Sequence, residues 1–361
     1  MDGSRKREWS NGVLFVGPIP PPTYGQSVAT KNLRERLATS GVVAATINLS
    51  EFDGVYGKIR AHLKAATEIL RGARGPVYVS VNANAGQWLT VVLAALCRIG
   101  RKPLYLHHHA YGYIRRRRAS MGALSWVAGD EAVHLVLGRK MASELRAVYH
   151  GVENVHVINN AGLIDPELSK SSERAERNVT FGHMSNLSEA KGTLEFCRAA
   201  TEARRCGLDA SFICAGPFAD SCSKSAVAAA VADCGGAFNY LGPVDSAQKR
   251  VFFQAIDFFV FPSRYKNEAS PLVLLEAMAA GVPCVARDVG CVADDIGGAG
   301  HIYRDEQELV GVIKKLASIE RAQILTMARE ARRRYRQLRQ EHEDQVQKLI
   351  DMLRSKSTEW Q

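Results

Sequence analysis

Short runs of β-branched and aliphatic residues alternate with longer helix-patterned segments along the whole chain. That alternation leaves few folds open besides parallel sheets covered by helices. In the first half, strands are predicted at residues 13–17, 43–48, 77–81, 103–108, 133–136 and 155–158. In the second they are predicted at 179–181, 210–214, 238–241, 258–261 and 283–286. A chain of 361 residues exceeds what one core ordinarily accommodates, so two α/β domains are expected. The polar stretch 163–178 (LIDPELSKSSERAERN) divides them, as an interdomain linker does. The expected domains are residues 1–165 and 166–335, followed by a C-terminal helix over 336–361 within a helical tail that begins near residue 328.

The composition, 46% hydrophobic, 23% charged and 7% aromatic, excludes disordered and fibrous chains. The net charge of +10 is one-sided: residues 1–165 hold 21 Lys and Arg against 11 Asp and Glu, and the remainder holds 26 of each. Such a field points to an anionic partner on the first half: a membrane surface, a phosphorylated acceptor or nucleic acid. The eight cysteines form no C-x-x-C pair and several lie in apolar stretches, which reads as buried thiols in a reducing cytoplasm. Residues 1–11 are polar and carry Arg5, Lys6 and Arg7, unlike a signal peptide. The longest apolar run, 88–97, is about half the length a bilayer-spanning helix requires, so membrane contact is expected to be peripheral.

The most informative stretch is FFVFPSRYKNEASPLVLLEAMAAGVPCVA, residues 258–286. It reads as strand, loop, helix and strand, with Gly281 and Pro283 closing the helix. Glu268 falls on the loop beyond the strand's carboxyl end, where open α/β sheets bind ligands. Glu276 follows about two turns later on the helix. Ala269, Ser270, Pro271, Leu272 and Val273 are expected to form the first helical turn, whose unpaired N–H groups suit a diphosphate. Carboxylates repel phosphate but accept paired hydrogen bonds from vicinal diols. Glu268 and Glu276 therefore suit a sugar and a ribose on either side of that anion site.

This Glu268-x7-Glu276 segment, PSRYKNEASPLVLLEAMAAGVPCVARDVG, resembles the donor-site signature of the family-4 retaining glycosyltransferases, which have the GT-B fold of two facing Rossmann-like domains. VLFVGPIPPPTYGQS, LYLHHHAYG, VHVINNAGLID and VTFGHMSNLSEAKGTLEF extend the resemblance over most of the chain. It implies a cleft between the domains and a last helix returning to the first. The first domain would receive the acceptor and the second the nucleotide sugar. Lys191-Gly192 resembles the family's Lys-Gly pair, whose ammonium contacts the donor diphosphate. His109, the outermost residue of its strand, matches the family's active-site histidine and is assigned a positioning role. Gly25, at a helix start, is placed near the donor phosphate or the acceptor. His183 follows Gly182 where the family often has arginine, leaving Asn186 or backbone N–H groups as alternatives for the second phosphate charge. Asn160-Ala161 resembles an Asn-Gly hinge contact. The nucleotide base is expected near Gly242-Pro243-Val244, with Val244 among the donor-binding residues.

Taken together, the implied function is a retaining glycosyltransferase moving a hexose-like sugar from a nucleotide diphosphate sugar to an acceptor, lipid-linked in surface polysaccharide or glycolipid synthesis. No cofactor is expected beyond that co-substrate. No metal is expected, since Asp294-Asp295 follows a Gly-rich turn rather than a strand. The run Arg115-Arg116-Arg117-Arg118 is a candidate anchor on anionic lipid. A GT-B enzyme on a soluble acceptor and a nucleotide-sugar epimerase are the enzymatic alternatives. A nucleic-acid binder is the non-enzymatic one, with no recognised module to support it.

Overall fold

A computed structural model describes residues 12–22, 24–51, 54–71, 75–170 and 178–358. The basic run at Arg5–Arg7, Thr23 of the proline-rich loop and residues 171–177 of the polar stretch lie outside the described residues. Two compact units emerge: one of Met1–Leu163 with Glu341–Gln361, the other of Ile164–Gln340.

The first unit contains β1 (Val13–Gly17), α1 (Gly25–Thr39), β2 (Val43–Asn48), α2 (Gly54–Arg71), β3 (Val77–Ser80) and α3 (Gln87–Ile99). It continues with β4 (Leu104–His107), α4 (Gly112–Arg115), α5 (Ala119–Ala128), β5 (Val133–Val136), α6 (Arg139–Val148) and β6 (Val155–Val157). Its six strands are parallel, in the order β2-β1-β3-β4-β5-β6. The chain steps one way from β1 to β2 and the other way from β2 onward. Right-handed crossovers therefore place α1 on one face and α2, α3, α5 and α6 on the opposite one.

The second unit contains β7 (Val179–Met184), α7 (Thr193–Arg205), β8 (Ala210–Ala215), α8 (Ser221–Cys234), β9 (Phe238–Tyr240), α9 (Ser246–Gln254) and β10 (Phe258–Phe261). After these come α10 (Leu272–Ala279), β11 (Cys284–Arg287), α11 (Val292–Ile296), β12 (Gly300–Tyr303), α12 (Glu306–Ala317) and α13 (Arg321–Thr358). The order β12-β11-β10-β7-β8-β9 is again parallel throughout. Phe181, Phe196, Phe212, Phe258 and Leu309 fill the core on the α7, α8 and α12 side. Asp220, Asp245 and Asp305 cap α8, α9 and α12 by accepting from backbone N–H groups, each satisfying an orphan donor.

The 38-residue α13 belongs to both units. Ile324 joins the second core, and Arg332 and Arg334 donate to the carbonyls of Ala280, Asp294 and Asp295. Val346, Leu349, Ile350 and Leu353 pack with Phe15, Leu33, Leu37 and Tyr105 in the first core. Beside them His342 contacts the Asn159 carbonyl at 2.6 Å. The helix begins at Arg321, ahead of the expected residue 328, and one further strand, β12, completes the second sheet. All eight cysteines are free, six of them buried.

Candidate functional site

In the second sheet the winding reverses between β7 and β10, the crevice where ligands collect in open α/β sheets. The loops leaving these strands meet there. Gly192, in the left-handed region at φ +79°, opens α7 so close to the β10 loop that a Cβ would stand 2.2 Å from the Pro262 carbonyl oxygen. No other residue fits this approach. The Arg264 N–H donates to the Ala190 carbonyl at 2.8 Å and fastens the loops.

Across this junction Lys191 Nζ lies 2.6 Å from Glu268 Oε2, with 28% and 11% of the two side chains exposed. The Ser263 hydroxyl donates to the same oxygen at 3.1 Å. The ammonium also sits 4.8 Å from the centre of the Tyr265 ring, a favourable cation–π distance. A charge-assisted pair with an added hydroxyl donor holds the Glu268 carboxylate in one orientation. Its cation remains within reach of a second anion.

The β10 loop is braced from behind. Gly290, at φ +57°, presses against it so that a Cβ would meet the Glu268 and Ala269 carbonyl oxygens at 2.4 and 2.6 Å. Cys291 N–H donates to the Ala269 carbonyl at 2.7 Å, and the Ser270 hydroxyl donates to Asp295 Oδ2 at 2.8 Å. Burial raises the Asp295 carboxyl to about 7, against the opposing pull of the Ser270 hydrogen bond and Arg334. The Ser270 hydroxyl thus fixes the loop.

Helix α10 corrects one expectation. Ala269, Ser270 and Pro271 precede the helix, which begins at Leu272 with Pro271 as its extended N-cap at φ −73°, ψ 125°. Proline disfavours helical backbone in the residue before it. Leu272 and Val273 consequently supply the first-turn N–H groups, the positive end of the helix. Glu276 lies on the second turn, its Oε1 2.7 Å from Lys249 Nζ of α9. Val244 is half-buried in the loop between β9 and α9. His183 is buried, with Nδ1 3.1 Å from the Val260 carbonyl and Nε2 3.2 Å from the Ser185 hydroxyl. Burial lowers its pKa to about 4, so it packs between β7 and β10 as a neutral ring and carries no charge for a phosphate at neutral pH.

The first unit repeats the reversal between β1 and β3. Gly25 opens α1 with nothing within 4 Å of the position a Cβ would take. Gln26 Nε2 ties this turn to Ser80 Oγ of β3 at 3.0 Å. His109 follows β4, its ring centroid 4.0 Å from that of His107. His109 Nε2 is buried and has no hydrogen-bond partner among the described residues. Burial lowers the ring's pKa to about 3, so the imidazole is neutral at neutral pH. His107 Nδ1 is held 2.6 Å from the Tyr78 hydroxyl. His108 turns the other way, toward Tyr113 and His134.

Four participants were not singled out from sequence: Lys249, Ser263, Tyr265 and Asp295 as a partner of Ser270. Arg264 and Arg287 also share the buried Glu195 carboxylate at 2.7 Å. Among the described residues, no group of three or more His, Cys, Asp or Glu side chains is arranged to hold a metal ion.

Residues 178–318, which contain Lys191, Lys249, Glu268 and Glu276, match the family described as glycosyl transferases group 1. Among curated proteins none matches the chain in sequence. Solved structures match nearly all of it. HepE from Anabaena, in complex with UDP, has a TM-score of 0.68 at 18% identity, covering 93% of this chain and 100% of that one. Sucrose-phosphate synthase from Thermosynechococcus elongatus has a TM-score of 0.72 at 16% identity, covering 95% and 98%. The UDP-forming trehalose-phosphate synthase from Burkholderia vietnamiensis gives 0.69 at 11%, covering 96% and 99%. The chain has the GT-B fold that these glycosyltransferases share, and the segment matching the group 1 family lies within its second unit.

Proposed function

We propose that this chain is a retaining, metal-independent glycosyltransferase that moves a hexose-like sugar from a nucleotide diphosphate sugar to a lipid-linked acceptor at the cytoplasmic membrane face. The observation that carries the reading is the Lys191–Glu268 pair at 2.6 Å across the β7/β10 reversal, inside a segment matching the group 1 family. Lys191 and the Leu272 and Val273 N–H groups stabilise charge on the departing diphosphate, which is the largest electrostatic demand of the reaction. Glu268 orients the sugar by accepting from its hydroxyls. Glu276, one turn into α10 and beside Lys249, receives the ribose diol. His109 and Gly25 act on the acceptor half. Retention follows from the family resemblance, by a front-face route. The bond from the anomeric carbon to the diphosphate oxygen breaks, the acceptor oxygen bonds to that carbon, and the acceptor proton passes to the leaving oxygen. UDP in HepE and UDP-glucose in the same protein make uridine nucleotides the first donors to test.

The test is a thermal-shift panel of UDP, GDP, ADP and dTDP sugars, followed by product analysis with lipid-linked and soluble acceptors. One donor should stabilise the protein, and Lys191→Ala or Glu276→Ala should abolish transfer while leaving the fold intact. Full turnover in both variants would defeat the assignment; an epimerised nucleotide sugar as sole product would favour an epimerase.

A further inference from the structure

The layer formed by α2, α3 and α5 presents a surface that no assigned role explains. On α2 the side chains facing the sheet are small or compact: Gly57, Ala61, His62, Ala65 and Ile69. The larger Tyr56, Ile59, Leu63 and Leu70 point outward, Tyr56 with 90% of its surface exposed. Their spacing of three, four and seven residues places them on one helical face. Arg60, Lys64 and Arg71 fall on the rows immediately beside them. The helix is amphipathic, yet its apolar stripe faces away from the core.

The neighbouring helices continue that stripe. On α3, Trp88, Val92 and Ile99 are exposed at four- and seven-residue steps, and Arg98 is the helix's sole charged residue. Trp126 of α5 is 80% exposed. Helix α3 packs between α2 and α5, and Arg98 Nη1 donates to the Trp126 and Val127 carbonyls at 3.0 and 3.1 Å. Next to Trp126 an open concavity of about 450 Å³ is lined by Arg98, Arg117, Asp130, Tyr149 and His150, among others. Contiguous exposed apolar surface rimmed by polar groups marks an interaction site.

We propose that the outer face of α2, α3 and α5 docks on an anionic lipid bilayer, with Tyr56, Leu63, Trp88 and Trp126 entering the headgroup boundary and Arg60, Lys64, Arg71 and Arg117 contacting lipid phosphates. Charge complementarity selects this occupant. Helices α2 and α3 carry Lys58, Arg60, Lys64, Arg71 and Arg98 against Glu68, with Lys64 paired to Glu51 ahead of α2 at 3.1 Å, so the patch stays net basic within the half that holds the chain's entire +10 surplus. Interfacial helices combine a basic polar face with Trp and aliphatic side chains. Protein interfaces exclude lysine from their centres, whereas Lys64 sits directly beside Leu63. A nucleic-acid backbone gives aliphatic side chains nothing to bury against. Of the four consecutive arginines, Arg115, Arg116 and Arg117 are exposed and Arg118 donates to Asn84 Oδ1 at 3.2 Å. Among the described residues, no helix is long and apolar enough to cross a membrane, so attachment here is from the surface. The inference deepens the lipid-linked acceptor reading and rests on it only for the chemistry served.

The full chain is to be co-sedimented with vesicles of phosphatidylcholine alone and of phosphatidylcholine mixed with phosphatidylglycerol. Binding is expected to the mixed vesicles, weakened by salt, with Trp88 and Trp126 fluorescence quenched by bromine-labelled lipid. Tyr56→Ser/Leu63→Ser/Trp126→Ser alters only exposed side chains and should lower vesicle affinity about 10-fold or more. Arg60→Glu/Lys64→Glu should do the same and reduce the salt dependence. Absence of binding by the parent chain, unchanged binding in both variants, or a parent dimer that the variants render monomeric would overturn the proposal. Donor binding and transfer to a water-soluble acceptor analogue are measured on the same variants. Vesicle binding without transfer leaves the docking face standing and removes the proposed activity; transfer without vesicle binding does the reverse.

Discussion

Replacing Lys191 by methionine keeps the aliphatic stem and removes the ammonium, leaving Glu268 with the Ser263 hydroxyl. The pair is 28% and 11% exposed, between an exposed pair worth about 0–1 kcal/mol and a buried one whose breakage costs about 3–5 kcal/mol. The expected destabilisation is therefore about 1–3 kcal/mol, a fall in Tm of several degrees for a unit of this size. Glu268→Gln added to Lys191→Met removes the stranded charge and should restore most of that Tm. Turnover should behave differently, because the role proposed for the ammonium is electrostatic stabilisation of the leaving diphosphate. A loss of about 100- to 1000-fold in kcat is expected in Lys191→Met, and the double variant should show no recovery. Denaturant titration and initial rates on the four proteins of this cycle give both quantities. If the double variant regains activity together with stability, Lys191 acts only as the carboxylate's counterion and its proposed catalytic role is refuted.

Glu276→Gln, keeping shape but losing charge on the group proposed to receive the ribose, should raise the nucleotide Kd about 10-fold or more by calorimetry; an unchanged Kd would place the ribose elsewhere. Gly290→Ala forces a Cβ against the Glu268 and Ala269 carbonyls at a left-handed position, so it should cost about 1–3 kcal/mol and raise the donor KM; an unaltered KM would show that the bracing does not matter. Acid should weaken the fold. Burial lowers the pKa of His107 and His108 well below 6.5, and that of His109 to about 3 and of His134 to about 4. The unfolded chain binds these protons first, so their contribution is intact above pH 6.5 and declines as pH falls toward 4. Asp295, raised to about 7, works in the opposite sense throughout this range but is one group against four. Urea midpoints followed by circular dichroism should drop between pH 6.5 and 4.5, and a flat profile would count against this account.

The strands were legible because parallel sheets bury both faces, leaving uninterrupted apolar runs such as FFVF and VYVS. Strand β12, GHIY, escaped because it lies at the sheet edge, half-buried, and opens with glycine and histidine. The start of α13 was masked by its polar composition, with mean burial supplied by contacts distant in sequence. In the site, Glu268, Glu276 and Lys191 were readable from local motifs after strands. Their partners were not: Lys249 precedes Glu276 by 27 residues and Asp295 follows Ser270 by 25, and no local periodicity links such positions. Helix α2 shows the converse difficulty. Tyr56, Ile59, Leu63 and Leu70 carry the pattern of a core face, yet the structure buries Gly57, Ala61, His62, Ala65 and Ile69 instead.

The division of α13 bears on how the chain is made. A ribosome releases Met1–Leu163 first, but the core of that unit lacks Val346, Leu349, Ile350 and Leu353 until the whole of the second unit has been translated. Four aliphatic side chains of this kind are each worth about 1.5–3 kcal/mol of burial. The segment Ile164–Gln340 emerges complete before they do. Nascent chains should therefore consolidate their later-synthesised unit first, leaving the earlier one open to chaperones and proteases until its last helix arrives.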